Sequence, residues 1–154
     1  MSWCLYDFSS SAFNTLMLTF IFNRFFVDVI VAEGNRGTVL WTRALTISAV
    51  VVALAMPVLG AVADFSGRKK TFLVVSALQA ITFTTLLFFV GPGQAVAAMV
   101  LFVIANIGFE SSNVFYSAFL PELTDSRNIG RVSGAGYFTG YIGGLLSLGI
   151  GLGM

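Results

Sequence analysis

The chain has 154 residues, of which 57% are hydrophobic and only 10% charged, with a net charge of +1 and a mean hydropathy of +0.92. About a quarter of residues in soluble domains are charged, so this composition excludes an ordinary soluble fold and predicts an all-α polytopic membrane protein in a lipid bilayer. The near-zero charge excludes nucleic acid as an electrostatic partner, the single Cys4 excludes an intrachain disulfide, and the absence of histidine removes the commonest zinc ligand and general base. No cofactor and no metal site are expected.

Five apolar spans follow in chain order, each near the ~20 residues with which a helix crosses ~30 Å of hydrocarbon. The first covers about residues 5–26. No basic region precedes it and no small-residue cleavage site follows, so it reads as a retained helix rather than a signal peptide. Asp7, Ser10, Ser11 and Asn14 fall on one face at helical spacing, with Trp3 and Tyr6 placed as interface aromatics. Two readings stand for this face. An aspartate in a first turn is stabilised by the helix dipole without any further role, and an asparagine can join helices, yet both are also candidates for a substrate or proton site.

The second span, about 41–62, carries one charge, Arg43, and is expected to be broken by Pro57 and Gly60. It leads into the charged turn Gly60-Ala-Val-Ala-Asp64-Phe-Ser-Gly67-Arg68-Lys69-Lys70, and the third span, about 71–90, has no charge at all. Gly91-Pro92-Gly93-Gln94 cannot continue a helix and is short enough to demand an antiparallel hairpin into the fourth span, about 95–120, which ends at Pro121.

The sharpest polar pattern lies on this fourth span. Asn106, Glu110, Asn113 and Ser117 recur at intervals of four, three and four, which makes one stripe on an otherwise apolar helix. An ionised carboxylate at that depth costs ~2.5 kcal/mol or more, so Glu110 must be solvated, paired or protonated. A packing contact to a basic residue on another helix competes with a functional role, and the functional role is preferred, with Asn106 and Asn113 able to hydrogen-bond the carboxyl group from either side. The fifth span, about 131–153, repeats glycine at Gly136, Gly140 and Gly144, a flat groove for helix packing.

Lys and Arg counts set the orientation. Arg68, Lys69, Lys70, Arg127 and Arg131 follow the second and fourth spans, against Arg24, Arg36 and Arg43 on the other side, so the amino terminus and the turns near Arg68 and Asn128 are expected to be cytoplasmic. There, Asp64 can cap the turn that follows or face the positive end of a helix outside the chain, while Arg68 can reach Glu122, with Arg131 close by. Contacts of this kind would form a gate that closes in one conformation only.

Gly60, Asp64, Gly67, Arg68 and Lys69 resemble the signature between the second and third helices of the major facilitator superfamily. Trp3-Cys-Leu-Tyr-Asp-Phe-Ser-Ser-Ser-Ala-Phe13, Val114-Phe-Tyr-Ser-Ala-Phe-Leu-Pro-Glu-Leu123 and Arg131-Val-Ser-Gly-Ala-Gly136 narrow the likeness to its vacuole-effluxer branch, which includes autophagy-related amino-acid effluxers. The resemblance implies a fold of twelve or more helices, of which these five would be the amino-terminal part, with the missing carboxy-terminal half as a partner. It implies secondary transport of a small-molecule substrate by alternating access, amino acids first and sugars, peptides or drugs behind. The depth of Glu110 and its flanking asparagines make that residue the expected carrier of the coupling proton or of the charged group of the substrate. The resemblance also implies that the first and fourth helices line the central cavity while the second and fifth meet the other half. Tyr141 stands where the antiporter motif has proline after Gly140, so no exchange mechanism is inferred. The expected location is the inner membrane for a bacterial source and the vacuolar membrane for a eukaryotic one. A non-catalytic membrane scaffold or assembly subunit is the alternative, and an enzyme is not expected because no nucleophile has a base nearby.

Overall fold

The computed structural model describes residues 2–120 and 128–153. Among them there is no strand, and five helices are long and apolar enough to cross a membrane: Leu5–Val31, Asn35–Ser66, Lys69–Leu87, Ala95–Ala118 and Gly130–Gly153. The all-α, five-span architecture expected from composition is the one observed. The chain divides into two compact units, Met1–Phe25 with Leu120–Met154, and Phe26–Phe119.

The first unit contains α1 (Ser2–Phe13), a π-helical stretch Asn14–Phe20, the short α2 (Phe22–Phe25) and, after α3 to α5 of the other unit, α6 (Ile129–Gly153). Sequence periodicity predicts a regular helix here. Instead the turns widen at Asn14, where Ile21 N–H bonds to Leu16 O at 3.0 Å and Thr19 Oγ1 donates to Asn14 O at 3.1 Å, each five residues back. A wider turn takes up an extra residue without altering the apolar content, so hydropathy cannot reveal it. Within this unit α1 packs along α6 through glycine. A Cβ at Gly144 would lie 2.8 Å from Thr15 Oγ1, one at Gly140 2.8 Å from Ser11 Oγ, and one at Gly143 would collide with the Phe8 carbonyl oxygen. The resemblance assigned the face of the fifth span to another half of a transporter. The structure fills its glycine groove with the first helix of the same chain, because bare backbone lets two helices approach closely enough for dispersion contacts.

The second unit holds a second π-helical stretch, Phe26–Val31, then α3 (Gly34–Ser66), α4 (Lys69–Leu87) and α5 (Ala95–Ala118). Contrary to the expected break, α3 runs for 33 residues straight through Pro57 and Gly60. Proline removes one hydrogen bond, but opening the backbone in hydrocarbon would strand several polar groups without water, so continuing the helix is the smaller cost. The helix stops where glycine permits it. Gly67 takes φ +64, its N–H bonds to Asp64 O and that of Arg68 to Ala63 O, both at 3.2 Å, the pair of bonds that defines a Schellman cap.

The α4–α5 hairpin turns at Pro92-Gly93, with Gly93 at φ +84 and Gln94 N–H bonded to Gly91 O at 3.2 Å, a geometry that needs glycine at the third position. The two helices then meet at Gly108, where a Cβ would stand 2.8 Å from Ala80 N and 2.9 Å from Ser76 O. Gln79 Nε2 on α4 ties this contact by donating to Ile104 O at 3.0 Å. On its other side α5 packs on α3: Trp41 lies between Phe26 and Phe102, at centroid distances of 5.6 and 4.3 Å, and Met56 and Ala63 close over Phe115. These aromatics are buried among themselves rather than turned outward, which holds α5 and its polar stripe in a fixed rotation about the helix axis.

Candidate functional site

The stripe on α5 is graded. Asn106 is buried at 4% exposure, Glu110 and Asn113 are half-buried, and Ser117 is exposed. Asn106 Nδ2 donates to Ser48 Oγ on α3 at 2.8 Å. The Ser48 hydroxyl hydrogen is directed back to Ala44 O and Leu45 O, at 3.1 and 2.9 Å, so its oxygen is left to accept and the Asn106 amide is oriented by that requirement. Asn106 Oδ1 is left buried with no hydrogen-bond partner among the described residues. One of its two amide N–H groups is thus committed to α3, and Asn106 makes no hydrogen bond to the Glu110 carboxyl group one turn on among the described residues. Sequence reading missed Ser48, a lone hydroxyl in an apolar run with no periodic partner of its own.

Glu110 itself forms no ion pair among the described residues. The packing alternative, a basic partner on a neighbouring helix, has no counterpart there. With Gly108 against α4 and Asn106 against α3, Glu110 is held on a rigid helix while its own carboxylate has no fixed counter-ion among the described residues.

In the other unit the face read from sequence divides. Asp7 and Ser11, with Thr15, lie along the glycines of α6, and a Cβ at Gly140 would lie 3.3 Å from Asp7 Oδ2. The hydroxyls of Ser10 and Ser11 donate to the Asp7 backbone oxygen, at 3.2 and 2.9 Å. Asn14, at the start of the widened turn, is exposed. Gly136 is buried with Gly140 and Gly144 on the same side of α6.

The signature turn closes on itself. Lys69 Nζ meets Asp64 Oδ1 at 2.9 Å across the Gly67 cap, and no side chain caps the amino end of α4. Of the two places expected to engage Asp64, the turn that follows supplies the contact, through the side chain of the first residue of α4. Arg68 is exposed without an ion pair among the described residues, and a Cβ at Gly60 would meet nothing within 4 Å. Arg131 is exposed near the start of α6, and Glu122 lies outside the described residues. No group of three or more metal-ligating side chains occurs among the described residues.

Comparison with known proteins agrees with these features. The family described as "Vacuole effluxer Atg22 like" matches residues 35–154. A relative from Bacillus subtilis (strain 168), "Uncharacterized MFS-type transporter YxiO", is 31% identical over 145 residues, which cover 92% of this chain and 34% of the relative. The chain thus spans about a third of the length of that curated relative. No solved structure matches.

Proposed function

This chain belongs to the vacuole effluxer Atg22-like family and is a multi-pass integral membrane protein, and from that membership we propose that it works as part of a secondary transporter moving a small solute by alternating access. A bacterial relative fits an inner-membrane location. The observation that carries the reading is Glu110, a half-buried carboxylate well inside a spanning helix, about two-thirds of the way along it, without an ion pair among the described residues. Intramembrane carboxylates are costly and persist chiefly where they bind ions, protons or substrate. Amino acids are the first substrate class to test, on the strength of the resemblance noted above.

In this reading Glu110 exchanges a proton, or meets a cationic group of the substrate, as access alternates. Asn113 is the neighbour free to follow it, whereas Asn106 serves as the fixed point of the helix. Asn14 and Asp7 are further candidates, Asn14 for the solute path because it is exposed, Asp7 for a proton because its carboxylate borders the Gly140 backbone. The Asp64–Lys69 pair, with Arg68, is assigned to gating: a contact made in one state and broken in the other shifts populations without contributing to binding.

Glu110→Gln in a transporter carrying this chain, assayed in proteoliposomes with an imposed pH gradient, should abolish proton-driven accumulation while membrane insertion stays intact. Transport with unchanged rate and pH dependence would refute the assignment. Failure to insert, rescued by removing a nearby positive charge, would instead make Glu110 half of a structural pair.

A further inference from the structure

At the end of α3 remote from the signature turn, Glu33, Asn35, Arg36, Val39, Leu40 and Arg43 line an open pocket of about 660 Å³. Two of its six residues are arginines and one is a glutamate, leaving one net positive charge. Arg36 Nη1 is shared with the Glu33 carboxylate at 3.3 and 3.4 Å, an exposed pair that is easily opened. Arg43 has no hydrogen bond or ion pair among the described residues. The pocket therefore offers one uncommitted guanidinium and a second that is only loosely held.

We propose that this pocket binds the phosphate of an anionic phospholipid in the leaflet at the amino end of α3. Depth favours a lipid over a dissolved anion. The 33 residues of α3 extend about 50 Å, whereas hydrocarbon is ~30 Å thick, so the first turns of the helix project into the headgroup layer. Arg36 and Arg43 sit two turns apart astride the start of the apolar run, where long cationic side chains reach up to the interface. Val39 and Leu40 give the pocket an apolar floor that a hydrated ion gains nothing from. Beyond Arg43 the same side of the helix continues as exposed Ile47, Val51 and Leu54, a track suited to an acyl chain below a bound head. Bidentate guanidinium donors match the phosphate oxygens, and the positive end of the α3 dipole adds to them.

The test is lipid retention by the whole chain, using native mass spectrometry after extraction from nanodiscs that contain equal amounts of phosphatidylglycerol and phosphatidylcholine. The unaltered protein should retain phosphatidylglycerol preferentially, and Arg43→Gln should lower that preference about fivefold, the factor expected for one arginine at a lipid surface. Arg43→Lys, which keeps the positive charge, should keep most of it. Circular dichroism of each variant keeps loss of the site distinct from loss of fold. Equal retention of the two lipids by the unaltered protein, or an undiminished preference in Arg43→Gln, overturns the proposal. Displacement of phosphatidylglycerol by inorganic phosphate at matched concentration also overturns it and assigns the pocket to a dissolved anion.

Discussion

The two units bury polar groups within the membrane by opposite means. In the unit of α3, α4 and α5, polar contact is made by side chains that reach across helices: Asn106 to Ser48, and Gln79 to the carbonyl of Ile104. In the unit of α1 and α6, the polar row Asp7, Ser11 and Thr15 is set against glycines that present only backbone. The difference bears on the two intramembrane carboxylates. Glu110 stands on a helix clamped from both sides yet keeps its own carboxylate without an ion pair among the described residues, while Asp7 lies on the bare backbone of Gly140. Chemically similar residues at helical spacing thus end in different surroundings, and the neighbouring helix makes the distinction.

The largest expected effect breaks the glycine unit. Gly143→Ala drives a methyl group into the Phe8 carbonyl oxygen and should destabilise the α1–α6 contact by roughly 1 to 3 kcal/mol, the usual range for overpacking. Gly60→Ala is the internal control. It meets open space on the same kind of spanning helix and should be neutral or slightly stabilising, by up to about 1 kcal/mol from helix propensity. Thermal unfolding in detergent, followed by circular dichroism, ranks the two, and equal midpoints would show that the α1–α6 groove is not tightly packed.

In the other unit Gly108→Ala should also destabilise, because the atoms it meets are backbone atoms of α4 that cannot swing aside. The hydrogen bond beside it is worth less. Ser48→Ala should cost about 0.6 kcal/mol, near the average for interhelical hydrogen bonds in membranes. Adding Asn106→Leu to Ser48→Ala should recover part of that loss, since it removes both the abandoned amide and the unpartnered Oδ1. A double variant less stable than Ser48→Ala alone would mean that Oδ1 has a partner outside the described residues.

The smallest expected change in stability is at the signature turn. Asp64→Asn breaks an exposed ion pair to Lys69 and should alter unfolding by less than about 1 kcal/mol, yet on the gating assignment it should change access at this turn and slow transport. Single-cysteine labelling at positions 35 and 69, on a Cys4-free background, tests orientation as well. The two positions should react with an impermeant reagent from opposite sides, and labelling of both from outside intact cells would reject the assigned topology.

Much of this organisation is set by local chemistry, which a sequence displays directly. Apolar runs long enough for hydrocarbon specify the five helices, Gly67 and the Pro92-Gly93 turn specify where two of them stop or reverse, and the interval of Asn106, Glu110 and Asn113 specifies one helical stripe. Other features depend on what lies opposite, which no local interval contains. Only the packed structure made Asn106 a link to Ser48, turned Asp7 and Ser11 onto the glycines of α6, carried α3 through Pro57 and closed Asp64 onto Lys69. Hydropathy and spacing report the cost of leaving water and the period of a helix, whereas the partner of a buried polar group is decided by which backbones can approach, and that is a property of the tertiary fold.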